Sequence, residues 1–417
     1  MVNSDQKHSV VVGAGAIGIN CALSLLNEGH KVTLVDRDPP GEGCSFGNAG
    51  LIARSAFVPL ASPGLMYDVP GWLIDPEGPL SIRWSYLPKI LPWLWKYIKA
   101  GNAGNEKQVA DALQNMIETS VDLYVDLAAQ AGAPELVIRS SYMYAYESEK
   151  SFRKDSPSFI MRRERNVDVE ELTGGEIREV EPALSPHYTN AYLVPDHGFT
   201  VNPLGLMQAL AKLFVNKGGT VVQREVRDIE HSADGKVRII CEGEDIEADY
   251  AVIALGAYSR PFAEKLGAPV PLDTERGYHA MIAHPGVDPK MPVMSGDGKF
   301  LATPMEHGLR FAGTVEFAGV DAEPNYARSR ALLNKGKKMF PGLQTEGYSE
   351  WMGRRPTLPD SLPVIGPSPN ARNVMFAFGH QHIGLTAGPN TGKFVADLIC
   401  DRKPNVDLSM FKVERFL

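Results

Sequence analysis

Ser9-Val10-Val11-Val12-Gly13-Ala14-Gly15-Ala16-Ile17-Gly18 decides the fold. The β-branched run Ser9–Val12 reads as a strand, and Gly-x-Gly-x-x-Gly follows it directly. Ile17, Cys21, Ala22, Leu25 and Leu26 then recur with helical spacing, and Gly29 stops the helix. Lys31–Val35 is a second strand ending on Asp36. This context makes a dinucleotide-binding turn of a motif that is weak alone. Gly13 permits the tight turn, Gly15 lets a pyrophosphate approach the backbone, and Gly18 lets the helix pack on the strand. The backbone N–H groups of Ala16 and Ile17 open the helix, whose N-terminal dipole favours phosphate. Asp36 is placed to accept from a ribose hydroxyl. The fingerprint alone does not separate NAD from FAD.

Working outward, the chain has 417 residues, enough for two domains or one large composite. Its net charge of −8 argues against a broad nucleic-acid-binding face. Cys21, Cys44, Cys241 and Cys400 stand far apart without metal-site spacing, so free buried thiols in a reducing compartment and no metal are expected. No apolar run reaches the length of a membrane span. The apolar stretch from Val10 to Leu26 imitates a signal peptide, but its regular glycines fit the nucleotide turn better. A cytoplasmic protein is therefore expected, either free or peripheral on the inner face of the membrane.

Three further stretches carry a family resemblance. They are Pro39–Gly50, with Cys44-Ser45-Phe46-Gly47-Asn48-Ala49-Gly50; Gly353-Arg354-Arg355-Pro356 through Gly366; and Gly379-His380-Gln381-His382-Ile383-Gly384-Leu385-Thr386. With the opening fingerprint they resemble the D-amino-acid oxidase superfamily of FAD enzymes, closest to its bacterial D-amino-acid dehydrogenase and hydroxy-D-proline dehydrogenase branch. The resemblance implies noncovalent FAD held by Gly13, Gly15, Ala16, Ile17, Gly18, Asp36 and Arg37. It implies that Ser45, Asn48, Ala49, Gly50 and Leu51 line the pyrophosphate and one side of the flavin. Val226 would lie by the adenine, Gly256 and Gly353 near the cofactor, and His380, Gln381, Ile383, Gly384, Leu385 and Thr386 around the flavin ring. Arg355 matches the arginine that holds the substrate carboxylate in relatives, whereas His382 stands where glycine oxidase has an arginine. Cys44 stands where the family often has threonine, nearer the pyrophosphate than the ring.

The implied activity is oxidative deamination of D-amino acids, with hydride passing from Cα to flavin N5 and the imine hydrolysing to an oxo acid. Oxidation of a secondary amine such as hydroxy-D-proline or sarcosine is the alternative. An electron-transfer subunit of a complex and an NAD-only dehydrogenase are weaker ones. The acceptor, quinone or oxygen, stays open. Tyr278, His279 and Glu316 are second-line pocket residues because they fall in expected inner strands.

The expected fold is α/β: a Rossmann-like FAD domain (1–55, 196–261 and 347–417) with an inserted α+β substrate domain (56–195 and 262–346) built on an antiparallel sheet. The middle of the chain supports this. Asn202-Pro203 starts a helix, Gly218-Gly219 stops it, Thr220–Val226 and Glu247–Leu255 read as strands, and Asp234-Gly235 signals a turn. Val109, Leu113, Met116, Ser120, Leu123 and Leu127 predict one long amphipathic helix. Gly277–Ile282 and Leu309–Glu316 predict antiparallel strands. Trp84–Ile98, rich in aromatics and lysine, reads either as an interfacial helix on a membrane or as a helix packing its aromatic stripe inward, and the packing reading is preferred.

Overall fold

The computed structural model describes residues 6–61, 68–231 and 235–417. His8–Val12 forms the centre of a six-stranded sheet in the order 364–368, 371–378, 250–253, 8–12, 31–36, 220–223. All pairs are parallel except the edge strand Val364–Ser368. The helices Ala16–Asn27 and Gly384–Ile399 both begin at the carboxyl edge of this sheet and pack on each other. Pro203–Asn216 joins them, so Val11, Ile19, Leu34, Leu206, Leu210 and Val395 share one core. A small antiparallel sheet, 226–231, 237–241 and 246–248, covers the other face.

The second layer is a ten-stranded, mostly antiparallel sheet. Its path runs Ser349–Thr357, Asp273–Ile282, Gly308–Phe317, Phe300–Met305, Val293–Ser295, Val137–Tyr146, Asn190–Thr200, Leu51–Ile52. The protein is thus an α/β molecule with a Rossmann-like region and an inserted sheet domain. The helix Ala327–Met339 packs Leu332 and Leu333 on Ala280, Ile282 and Phe311 at the back of this sheet. The strand carrying Arg355 belongs to the large sheet, so the nucleotide fold resumes after it.

Several elements differ from the sequence expectations. The long helix is two, Ala103–Ile117 and Ser120–Gln130. At the break Asn390 of the C-terminal helix donates to the Met116 carbonyl at 2.8 Å and meets the Thr119 hydroxyl, a tertiary contact invisible to periodicity. The stretches Thr220–Val226 and Glu247–Leu255 each divide between two sheets, because Gln223 pairs with Asp36 while Val226 pairs with Cys241. Asp234 lies outside the described residues, and Gly235 after it has φ +81°.

Two glycines have backbone reasons. Gly13 sits at φ +110°, and a Cβ there would overlap the Ala254 carbonyl. Gly18 brings the first helix so close that a Cβ would overlap the Gly13 carbonyl. Backbone cannot step aside as a side chain can, so overpacking here costs about 1–3 kcal/mol. Gly18→Ala should therefore lower the thermal midpoint and weaken flavin binding together. Native values of both would show that the helix–turn contact is not tight.

Candidate active site at the junction of the two sheets

The nucleotide turn is built from its own neighbours. Gly13 N–H donates to the Val35 carbonyl at 2.8 Å, closing the turn between the first two strands. The Asp36 carboxylate accepts from Ala14 N–H at 2.6 Å and Asp38 N–H at 3.1 Å, which aims it along the turn. Ala16 N–H donates to the Ser45 hydroxyl at 3.0 Å. A Cβ on Gly15 would meet only that hydroxyl, at 3.4 Å, so the backbone faces open room there. The first helix has no side-chain cap and no acid in its first turn. This cradle suits a diphosphate, and in an FAD-loaded protein Gly15, Ala16, Ile17 and Gly18 would hold that group together with Ser45, while Asp36 would meet the ribose. Arg37 stacks over Tyr258 at 4.5 Å, beside the turn that holds Gly256. Val226 is half-buried two residues beyond Arg224, whose N–H bonds the Asp36 carbonyl.

The segment 44–51 is nailed to the large sheet. His279 Nδ1–H donates to the Gly47 carbonyl at 3.1 Å and its ring stacks on Trp351, 5.3 Å between centroids. Arg310, buried, donates to the Asn48 carbonyl at 2.6 Å and the Phe46 carbonyl at 3.3 Å. The Asn48 side chain accepts from Gly50 N–H, and Gly50 has φ +80° against the Thr200 carbonyl. Ala49 leads into Leu51, whose carbonyl accepts from the Thr386 hydroxyl. Arg310 and Trp351 carry no sequence signal of this role, and His279 serves as a strut for the loop.

The C-terminal loop closes the site. Gln381, at φ +50°, donates its N–H to the Pro356 carbonyl and its amide to the Leu358 carbonyl, both at 2.9 Å. His380 turns inward: Thr391 donates its hydroxyl to the Ala387 carbonyl and accepts from His380 Nε2 at 3.1 Å. Ile383 and Leu385 are buried, and the helix from Gly384 starts with no side-chain cap and no acid in its first turn.

Strand alternation sorts the charges. Glu275, Gly277 and His279 share one face with Gly353 and Arg355, the face turned toward Gly47. Arg355 Nη1 donates to the Thr314 carbonyl at 3.1 Å, and its guanidinium lies over Gly277, where any Cβ would overlap it. His382 opens into the same cleft; the protein around it and the Arg355 charge hold its pKa below the ordinary value. Cys44 also opens there, with its thiol by the Arg354 backbone and in the field of Arg355, so it lies nearer the arginine pair than the sequence implied. Glu275, buried across the strand from Arg355, accepts from Thr357, and burial pushes its carboxyl up.

Tyr278 and Glu316 belong to the other face, which removes them from the pocket. Glu316, 1% exposed, accepts from the Tyr278 hydroxyl at 2.5 Å and pairs with Arg276 at 3.2 Å and Arg83 at 3.0 Å. Asn325 N–H donates to the same hydroxyl. This network ties the sheet to the loop before the helix Ala327–Met339. Arg354 shares that face, its Nε on the Val320 carbonyl at 2.7 Å.

Burial holds His279 and His380 down at about 3. Both are neutral when folded, whereas the unfolded chain binds their protons below about 6.5. Their contribution to stability is whole above that value and drains away as pH falls through 6.5 toward 3, by roughly 2 kcal/mol per histidine at pH 5. The apoprotein should lose thermal midpoint between pH 7 and pH 5, and His380→Gln should flatten that loss. An identical pH profile in the variant would show that His380 does not titrate with unfolding.

The chain is similar to known proteins along its whole length. Over 418 aligned positions the chain is 39% identical to a D-amino-acid oxidase of Bradyrhizobium diazoefficiens, covering 99% of each. Its fold is similar to glycine oxidase from Geobacillus kaustophilus (TM-score 0.76, 20% identity, 99% of this chain and 100% of that one). It is also similar to L-proline dehydrogenase from P. horikoshii (TM-score 0.75, 18% identity, 99% and 98%). The model of the DAO family of FAD-dependent oxidoreductases matches residues 8–398, and the chain belongs to that family.

Proposed function

We propose that the protein oxidises D-amino acids to imino acids, which water converts to oxo acids and ammonia. The observation that carries the reading is Arg355. It is a half-buried guanidinium on the cofactor-facing side of the large sheet, steadied at one nitrogen by the Thr314 carbonyl and seated on the bare backbone of Gly277. A planar fork fixed in this way suits a carboxylate. The D-amino-acid oxidase name of the Bradyrhizobium relative supports the D series. FAD, when bound, supplies the hydride acceptor for the Cα–H bond.

The chain's residues do the rest. Arg355 anchors the carboxylate and so turns Cα toward the cleft, converting an encounter into a positioned reaction. The amine gives up its proton to water before its lone pair forms the C=N bond, since the two carboxylates of the strand Asp273–Ile282 on the Arg355 face are already engaged: Glu275 is buried and bonded to Thr357, and Asp273 accepts from the Tyr86 hydroxyl. His382, held neutral, offers a hydrogen bond at the cleft without adding positive charge against the cationic substrate amine.

FAD is held without a covalent bond in this reading, because no cysteine occupies a motif tied to the flavin ring, and Cys44 adjoins Ser45, which meets the nucleotide turn. Acid precipitation should leave the yellow colour in the supernatant; colour in the pellet would refute noncovalent binding.

The reading is tested by anaerobic bleaching of bound flavin with a panel of D- and L-amino acids, D-proline, sarcosine and glycine. D-amino acids should bleach fastest; bleaching by secondary amines alone would overturn the substrate assignment. Arg355→Ala should cost roughly a hundredfold or more in kcat/KM, and Arg355→Lys should recover little. Arg354→Ala, on the opposite face, should cost far less. Gly277→Ala should displace the guanidinium and raise KM while flavin stays bound. Near-native kinetics in both Arg355→Ala and Gly277→Ala would remove the anchor from the mechanism.

A further inference from the structure

The helix Leu87–Ala100 spends one face on the fold. Ile90 and Trp93 are buried; Trp93 stacks on Tyr97 at 5.2 Å between centroids and meets Phe317 at 5.3 Å. Arg83 fixes the entry through Glu316 and the Phe317 carbonyl. These contacts are the inward packing that the aromatic content suggested.

The opposite face is not spent. Trp84 is 83% exposed, Leu91 53%, Trp95 58% and Ile98 46%. Leu91, Trp95 and Ile98 stand at i, i+4 and i+7, so one stripe of the helix is apolar and open, and Trp84 is exposed in the turn that leads into it. Water-exposed tryptophans in such a stripe are a cost that a monomeric surface ordinarily avoids. Lys89 and Lys96, both exposed, stand seven residues apart on the flank, and Lys99 Nζ lies 3.4 Å over the Trp95 ring. From Gly78 to Asn105 there is no Asp or Glu, in a chain whose net charge is −8. An apolar stripe bearing tryptophan, on a segment whose charged residues are all cations, matches an anionic bilayer surface: the rings enter the interface and the lysines meet the headgroup phosphates. A second copy of the same patch would bring lysines toward lysines, with no acid in the segment 78–105 to answer them.

We infer that the outer face of Leu87–Ala100, with Trp84, docks the protein peripherally on a membrane surface rich in anionic lipid. The patch would lie flat in the headgroup region, and the large sheet behind it would hold the rest of the molecule above the bilayer.

The test is co-sedimentation of the full, flavin-loaded chain with vesicles of phosphatidylcholine alone and of phosphatidylcholine mixed with phosphatidylglycerol. Binding should require the anionic lipid and weaken with added salt. The triple variant Lys89→Ala, Lys96→Ala, Lys99→Ala should lose roughly a hundredfold in partition, since each lysine near an anionic surface contributes about 1 kcal/mol. Trp84→Ser with Leu91→Ser and Trp95→Ser should abolish binding at an unchanged thermal midpoint; if that variant fails to fold, the lysine variant still decides. Equal binding to both vesicles, no binding to either, or native partition in the lysine variant would overturn the proposal. So would a solution dimer of the native chain that the tryptophan variant splits, which would assign the patch to a second copy.

Discussion

Everything at the site depends on two helices being allowed to touch. Ala16–Asn27 and Gly384–Ile399 cross so closely that a Cβ on Gly388 would crowd the Asn20 amide and the Tyr124 hydroxyl, and one on Gly392 would overlap the Asn20 carbonyl. Tyr124 then donates to the Leu385 carbonyl at 2.7 Å, locking the start of the second helix. Because both helices follow parallel strands at the same sheet edge, their N-termini, neither carrying an acid in its first turn, open on the same side of the sheet. The two helix dipoles add to the positive potential that Arg355 already sets at the cleft. A bulkier pair of helices would part the two ends.

The large sheet contributes the opposite kind of order, separation by alternation. Its strand Asp273–Ile282 is buried on both faces, so hydropathy along it says little about direction. The neighbouring chain decides. On one face, Arg276, Tyr278 and Glu316 pair with one another and hold the following loop through the Glu323 and Ala322 carbonyls, a buried cluster whose members would be costly singly and are tolerable together. On the other, Arg355 keeps part of its hydrogen-bonding capacity unspent beside the cleft. The same residue types thus serve structure or chemistry according to which side of one strand they occupy. A cross-strand glycine, Gly277, makes the distinction work by giving the guanidinium room.

Between these two bodies runs the segment 44–51. Its carbonyls are taken by His279 and Arg310, and Trp351 lies against Gly47. Burial lowers the Arg310 pKa to about 10, still far above neutrality, so it remains a charged donor at working pH. The large sheet therefore positions the cofactor loop of the nucleotide fold as well as covering it.

What the sequence determined by itself was local or strongly patterned. The turn Gly13–Gly18, its helix, the strand to Asp36 and the α/β class follow from backbone sterics and short-range periodicity, which act within a few residues. The motifs around Ser45, Arg355 and His380 were legible as resemblance, and Pro356 biased Arg355 toward the extended backbone it adopts. Tertiary structure alone decided the rest. The break between Ile117 and Ser120 needs Asn390; the struts His279 and Arg310 act on carbonyls more than 200 residues away. Tyr278 and Glu316 alternated correctly, but period two gives two faces without saying which one meets the cofactor. That choice belongs to packing between distant segments, where the energy lies in contacts that no stretch of sequence contains alone.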